Sequence, residues 1–259
     1  MKVRIFAKNN NTCKEFEKLL TVKLLSNGHE VVKNSPDLCI SIGGDGTFLY
    51  MIHEMGFKTD IKYAGFNLGT LGFLTSFSVT DLDKFIDKLN DDFYIDEYTF
   101  EDVTVKNQSG EHKYKSLNEV VIRNFINKSS RLDVYCNNEL IENFMGDAIV
   151  VSTSIGSSAY NLNLGGPLIY DKEPSLILSS IAPINNKVYS SFRNSIVFTK
   201  DKELTITPEK DFNINLLLDG HVKNLKNVTN IKVKLCKKTI KVLRFNKVSY
   251  STLIKEKLL

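Results

Sequence analysis

The sequence predicts two domains, an α/β N-terminal domain built on a parallel sheet and a mainly β C-terminal domain. Over roughly the first ninety residues, short apolar runs alternate with segments of helical periodicity, the pattern of a parallel sheet covered by helices. Beyond about residue 95 that spacing gives way to short strands separated by turn signals. The length agrees, because 259 residues set against a typical domain of about 150 leave one large domain or two modest ones.

The elements follow in order. Val3 to Ala7 reads as a strand. Thr12 and Glu15 fit a capping box, Phe16, Leu19, Leu20 and Leu24 follow at helical spacing, and Gly28 stands where a left-handed C-terminal residue belongs. Leu38 to Ile42 form an apolar strand that Gly43-Gly44-Asp45-Gly46-Thr47 breaks, and Phe48 to Glu54 look helical. A further strand, Tyr63 to Phe66, runs into Asn67-Leu68-Gly69-Thr70-Leu71-Gly72-Phe73. Thr80 then caps a helix with Leu82, Phe85, Ile86 and Leu89 on one face. In the second part, strands are expected at Thr104, Val120 to Ile122, Leu132 to Tyr135, Ile149 to Ser152, Ile196 to Phe198, Leu204 to Ile206, Ile214 to Leu218 and Ile231 to Leu235. Asn137-Asn138 and Asp219-Gly220 read as turns, and Ser157 to Leu164 as a short helix.

Composition narrows the function classes. A hydrophobic fraction of 42% with 25% charged residues is globular and excludes disordered or fibrous chains. The net charge of +4 is spread without a basic block, which argues against nucleic acid as a partner while leaving room for a local phosphate-binding patch. Cys13, Cys39, Cys136 and Cys236 stand far apart, so four buried, reduced thiols are expected and no protein metal ligands are assigned. No apolar run approaches the roughly 18 residues of a membrane span, and the expectation is a cytoplasmic protein with no membrane partner. His29 and His112 read as surface positions in polar turns, His53-Glu54 lacks the second His of a zinc-protease helix, and Ser157 lacks a nucleophile-elbow setting.

The chemistry concentrates in four segments. Three glycines in the turn Gly43-Gly44-Asp45-Gly46-Thr47 let backbone N–H groups approach an anion, and the helix behind adds its positive end. The turn has neither the Lys of a Walker loop nor the spacing of a dinucleotide fingerprint. A carboxylate among phosphates needs a cation between them or a proton to accept. Phosphoryl transfer to an alcohol supplies both, and the alternative is that Asp45 merely caps the helix. Asn67 to Phe73 is a second glycine-punctuated exit from a parallel strand, where open α/β sheets bind ligands. Phe73 offers either an apolar wall to an adenine ring or a core Phe under a tight turn. Asn118-Glu119 can read sugar hydroxyls or form an exposed strand end. In Gly146-Asp147 through Tyr160-Asn161, a strand hands off to a run of hydroxyls and a glycine at a helix start, which offers several donors to an anion or a ribose.

Taken together and in this order, these segments resemble the ATP-NAD kinase family, especially its short bacterial form, over most of the chain. Ala182-Pro183-Ile184 and Asp219-Gly220 also sit where that family has similar segments. The glycine turn alone is shared with lipid kinases of the diacylglycerol and sphingosine type. The hydroxyl run ending in Ala-Tyr is far more specific.

The resemblance implies an α/β domain at 1–97, completed by the tail 247–259, a mainly β domain at 98–246, an active site between them, and a homotetramer. It implies that Asp45 activates the 2′-hydroxyl of the adenosine ribose of NAD for attack on the γ-phosphate of ATP, with a divalent cation, Mg²⁺, as cofactor. Gly43, Gly44, Gly46 and Thr47 are then the phosphate cradle. Asp45, Gly46, Phe73, Asn118, Glu119, Asp147, Ile155, Ser158, Ala159, Tyr160, Asn161, Asn163, Ala182 and His221 are the implied contacts of NAD. Asp147 in particular is matched to an amide of a substrate held by a neighbouring subunit. Met145 departs from the family's Arg, and Ser154-Ile155 from its Pro followed by a hydroxyl residue. These departures motivate a second alternative beside the lipid kinase, a non-catalytic dinucleotide sensor.

Overall fold

The computed structural model describes the chain except residues 70–71, 92, 127, 171–172, 209–211, 248 and 259. Two compact units emerge, Met1–Tyr98 with Thr239–Leu259, and Thr99–Lys238.

The first unit opens with β1 (Lys2–Ala7), α1 (Asn11–Ser26), β2 (Glu30–Val31), β3 (Leu38–Ile42), α2 (Asp45–Glu54), β4 (Lys62–Asn67) and β5 (Phe77–Ser78). After α3 (Leu82–Lys88), β6 (Tyr94–Asn107) leads into the second unit. The sheet is parallel in the order β2-β1-β3-β4-β5. All five residues of β3 are buried, as its uninterrupted apolar sequence demands of a strand covered on both faces.

Two helix starts differ from the sequence expectation. Asn10, not Thr12, caps α1, its side chain accepting from the Cys13 N–H at 2.8 Å, because an Asn two residues upstream already supplies a strong cap. Ser78, not Thr80, forms a capping box with Asp81 over a 3-10 turn at Val79–Asp81 that leads into α3. Leu82, Phe85, Ile86 and Leu89 are buried as their spacing predicts, whereas Leu19 of α1 is 47% exposed and points away from the core. Phe77 is the hub of this core, with ring centroids 4.8 Å from both Phe85 and Phe245.

The second unit is antiparallel. It comprises β7 (Gly110–Ser116), β8 (Glu119–Asn124), β9 (Ser130–Cys136), β10 (Glu139–Gly146), β11 (Ala148–Thr153), a 3-10 turn at Ile155–Ser158, α4 (Tyr160–Asn163), β12 (Ser175–Ile181), β13 (Ile196–Thr199), β14 (Glu203–Pro208) and β15 (Phe212–Leu218). Next comes β16 (His221–Arg244), and α5 (Tyr250–Leu258) ends the chain. One run of strands reads β13-β12-β11-β8-β15-β16, and a second reads β10-β9-β14-β16. Leu132, Val134, Phe144, Ile149 and Leu216 belong to its core.

Both expected turns carry two consecutive positive φ angles, Asn137 48° with Asn138 72°, and Asp219 49° with Gly220 85°, the geometry that matches strand twist in a tight hairpin. The strands β7, β10 and β12 were not expected. The first is largely polar, β10 pairs its apolar residues as Leu140-Ile141 and Phe144-Met145 instead of alternating them, and Leu176-Ile177-Leu178 in β12 is too short a run to separate strand from helix. The chain returns to the first unit at 239, against an expectation of 247, because β16 runs on and pairs Lys241 and Val242 with Lys62 and Tyr63 of β4.

Two smaller expectations are corrected. All four cysteines are free, but only Cys13 and Cys39 are buried, Cys136 and Cys236 being half-buried on strands with one open face. His29 is buried, not on the surface; its Nδ1 lies 3.4 Å from the N-terminal ammonium, and burial pushes its pKa down. Among the described residues no helix is long and apolar enough to cross a membrane.

Position in this packing sets the cost of truncation. Phe77→Ala is expected to cost about 3–5 kcal/mol, whereas Leu19→Ala should stay within about 0.5 kcal/mol. Urea unfolding of the two variants checks the contrast.

Candidate functional site

Beyond β3 the backbone reverses into α2 through the glycine turn. Gly43 has φ 150°, and a Cβ there would lie 2.3 Å from the Thr47 hydroxyl, so both conformation and space demand glycine. Gly44 and Gly46 are different: a Cβ on either meets no protein atom within 4 Å. Neither packing nor a positive φ requires them. What their bare Cα atoms leave open is the space before the first turn of α2, where backbone N–H groups lack helical acceptors and the helix end favours negative charge.

Asp45 is the first residue of α2. The cap is Gly44 and no side chain caps the helix, so Asp45 is not there as an N-cap. Its carboxylate instead grips the second glycine loop. The Phe73 N–H donates to Oδ2 at 2.8 Å, and the Leu74 N–H, the Thr75 N–H and the Thr75 hydroxyl each donate to Oδ1 at 3.1 Å. Gly72 makes this approach possible, since a Cβ on it would sit 1.9 Å from Oδ1. The two glycine-rich segments singled out in the sequence therefore meet; Thr70 and Leu71 of the second lie outside the described residues.

Phe73 is half-buried, and its carbonyl accepts from Arg244 Nη2 at 3.2 Å. Arg244 is itself buried, pairing through Nε with Asp96 Oδ2 at 3.0 Å and through Nη2 with the Tyr98 hydroxyl. Sequence reasoning missed this residue. The only signal is a lone Arg in the apolar run Val242-Leu243-Arg244-Phe245, a charge that burial tolerates only when paired.

In the second unit, Asn118, Glu119, Ser158, Ala159, Tyr160 and His221 gather at one end of the sheet. Ser152 of β11 lies opposite Glu119 of β8, the Thr153 N–H donates to the Asn118 carbonyl at 2.8 Å, and the turn before His221 follows β15 at the same end. The organiser is Asp219. Its carboxylate accepts from the N–H groups of Leu117 (2.7 Å), Asn118 (2.7 Å) and Glu119 (3.2 Å), and its own N–H donates to the Glu119 carbonyl at 3.1 Å.

Asn118 is buried rather than an exposed strand end. Glu119 Oε2 is buried without a hydrogen-bond partner among the described residues, and burial, with the Asp219 charge second, pushes the Glu119 pKa to about 7 against a hydrogen bond from the Tyr160 N–H. Glu101, inconspicuous in the sequence, is fully buried; the Ser116 hydroxyl donates to its Oε2 at 2.5 Å, and burial holds its pKa well above the usual range. A buried acceptor with no partner is what a ligand hydroxyl would satisfy.

Not every expected contact faces outward. Asn161 is fully buried, its Nδ2 donating to the Ser157 and Pro167 carbonyls at 3.1 and 3.0 Å and its Oδ1 accepting from Ser179. Its polar atoms are committed to the protein, which makes it a brace of the hydroxyl-rich turn rather than a ligand contact. Ile155 is likewise buried within that turn, while Tyr160 and Asn163 are exposed.

Asp147 and Ala182 lie elsewhere. Asp147 precedes β11 and its N–H donates to the Ile181 carbonyl at 2.9 Å, beside Ala182, which holds a left-handed φ of 48°. The length of β11 therefore separates them from Glu119 and Tyr160 by roughly 20 Å, at about 3.3 Å per residue.

Comparison with known proteins matches residues 2–94 to the family model of the ATP-NAD kinase N-terminal domain and residues 117–245 to that of the C-terminal domain. A curated NAD kinase from Leuconostoc mesenteroides is 30% identical over 253 residues, covering 96% of this chain and 95% of its own. One from Lactobacillus delbrueckii subsp. bulgaricus is 33% identical over 250 residues, covering 95% and 94%. Among solved structures, yeast NADH kinase complexed with NADH superposes with a TM-score of 0.86 at 19% identity, over 100% of this chain and 87% of that one. An NAD kinase from Archaeoglobus fulgidus in complex with ATP gives 0.78 at 21% identity, over 99% and 98%. At such identities these two structures establish likeness of fold.

Two outcomes follow from the geometry. Gly43→Ala should destabilise by about 1–3 kcal/mol, whereas Gly46→Ala, inside a helix and facing open space, should leave stability unchanged or slightly raised; thermal melts separate the two. Glu119 and Glu142, both with pKa near 7 by burial, bind protons more tightly folded than unfolded. Their contribution is full below about pH 4.5 and is lost as pH rises through about 7. The urea midpoint should fall between about pH 5.5 and about pH 8, and Glu119→Gln should reduce that fall.

Proposed function

This chain belongs to the ATP-NAD kinase family, and from that membership we infer that it transfers the γ-phosphoryl group of ATP to the 2′-hydroxyl of the adenosine ribose of NAD, giving NADP. Of the readings the sequence left open, lipid kinase, dinucleotide sensor and NAD kinase, membership favours the last. The observation that carries the chemistry is the Asp45 carboxylate fixed at the head of α2, between a glycine turn with open space before it and the loop at Phe73–Thr75.

The reaction needs alignment, charge compensation and a proton acceptor. The N–H groups around Gly44 and Gly46, with the start of α2 behind them, hold phosphate oxygens, and Gly43 and Thr47 shape that turn. Asp45 accepts the proton of the 2′-hydroxyl as the ribose oxygen bonds to the γ-phosphorus and the bond to the bridging oxygen breaks. ADP leaves and the proton passes from the carboxylate to solvent. Asn118 and Glu119 read the sugar and pyrophosphate side of NAD, the unpartnered Glu119 Oε2 accepting a hydroxyl proton. Ser158, Ala159, Tyr160 and Asn163 line the adenosine pocket, Phe73 offers its ring to a base, and His221 approaches the transferred phosphate.

Asp147 and Ala182, at the far end of β11, fit contacts with an amide of a dinucleotide bound to a neighbouring copy. This suits a homotetramer, and the four free cysteines suit a reducing, cytoplasmic setting. Among the described residues no three His, Cys, Asp or Glu side chains gather as a metal site. The expected Mg²⁺ fits as the counter-ion of the ATP phosphates.

The test is the purified protein with NAD or NADH, ATP or polyphosphate, and magnesium or manganese, read by a coupled NADP-specific dehydrogenase. Asp45→Asn should lower turnover by about 10²- to 10⁴-fold, the range of a positioned base, while calorimetry shows NAD binding retained. Wild-type rates in that variant, or no NADP from intact wild-type protein, would refute the reading.

A further inference from the structure

Thr75 is fully buried beneath the Asp45 loop, and its hydroxyl sits at a crossing of three hydrogen bonds. The Gly72 N–H reaches Thr75 Oγ1 at 3.1 Å, and the Asn67 Nδ2 reaches it at 3.2 Å. The third partner is Asp45 Oδ1, at 3.1 Å. The direction of each bond is forced. A backbone N–H can only donate, and the Asn67 amide is fixed because its Oδ1 already accepts from the Gly69 N–H at 3.0 Å. With both lone pairs taken, the single hydroxyl proton has one place to go, the Asp45 carboxylate.

The consequence falls unequally on the two carboxylate oxygens. Among the described residues, Oδ1 receives three donors, whereas Oδ2 receives only the Phe73 N–H at 2.8 Å. A carboxylate oxygen has about two lone-pair sites, so Oδ1 is saturated and Oδ2 keeps a site for an incoming hydroxyl. The fold makes room for this arrangement, since a Cβ on Gly65 of β4 would lie 2.8 Å from Thr75 Cγ2.

We propose that Thr75 is a positioning residue of the phosphoryl transfer: its hydroxyl locks the Asp45 carboxylate in one orientation, occupying Oδ1 and leaving Oδ2 as the oxygen that meets the ribose hydroxyl. The inference rests on the reading of Asp45 as the proton acceptor. Thr75 touches no reacting atom, and it acts on the transfer through Asp45.

The experiment compares Thr75→Val, nearly isosteric but without a hydroxyl, with Thr75→Ser, which keeps it. Thr75→Val should lower kcat by about 10- to 100-fold, the range a carboxylate displaced by about 1 Å would cost. KM for NAD and the calorimetric Kd should stay within about twofold, since binding groups are untouched. Thr75→Ser should restore kcat to within about threefold of wild type. Where Thr75→Val does not fold, Thr75→Ala carries the same comparison. A kcat unchanged without the hydroxyl overturns the inference, and so does a loss shared by Thr75→Ser in step with a lowered melting temperature, which would mark a packing role. Wild-type protein that makes no NADP refutes the kinase reading itself; active wild type with an equally active Thr75→Val refutes this inference alone.

Discussion

The grip of the Asp45 carboxylate on three successive backbone N–H groups is the constraint around which the first unit's site is built. A loop leaving a parallel strand carries donors that its own segment cannot satisfy, and a carboxylate at a helix head carries acceptors that the helix does not use. Joining them satisfies both and fixes the carboxylate relative to the glycine turn. Arg244 completes the arrangement from behind by holding the Phe73 carbonyl, so donor and acceptor of the same peptide region are both spoken for. The second unit repeats the device with Asp219, whose carboxylate gathers the N–H groups of residues 117 to 119. In each unit a carboxylate distant in sequence sets the backbone of a segment of the candidate site.

Glycines in this protein divide by what a side chain would strike. At Gly43 and Gly72 it would strike the protein, at Thr47 and at Asp45 respectively. At Gly44 and Gly46 it would strike nothing within the chain. The first pair explains how the turn is shaped and the second what it is shaped for, because glycine in a helix start costs conformational entropy with no packing return. Packing inside one chain leaves that cost without a counterweight, and the proposed phosphate cradle would supply one.

How much was legible beforehand follows the range of the interactions. Contiguous apolar runs such as Leu38–Ile42 and paired turn residues such as Asp219-Gly220 declare themselves locally, and the glycine segments drew the expectation of a phosphate site because glycine clusters are rare without cause. Helix starts were misplaced where a nearer cap, Asn10 or Ser78, outcompeted the expected one. Strands of mostly polar sequence such as β7 were invisible because their pattern does not depart from that of a loop. The partners of Asp45 and of Arg244 lie about thirty and up to about 170 positions away, and no window along the chain can report a contact that only the fold brings about. Asn161 shows the converse: a residue type that suits a nucleotide pocket equally suits an internal brace, and burial decides between them.

Surface hairpins ordinarily accept insertions, which is why grafted peptides and length variation collect at their tips. The connection between β15 and β16 forbids this, because its first residue, Asp219, is also the clasp on residues 117 to 119, and a single added amino acid would swing that clasp off its register. Among the described residues the Asn137-Asn138 bend makes only a reciprocal pair of bonds with Glu203, the Asn137 N–H donating to the Glu203 carbonyl at 3.1 Å and the Glu203 N–H to Asn137 Oδ1 at 3.2 Å. Engineering of affinity tags, labels or permuted termini therefore has a tolerant place at one hairpin and a closed one at the other, though both look alike in backbone angles.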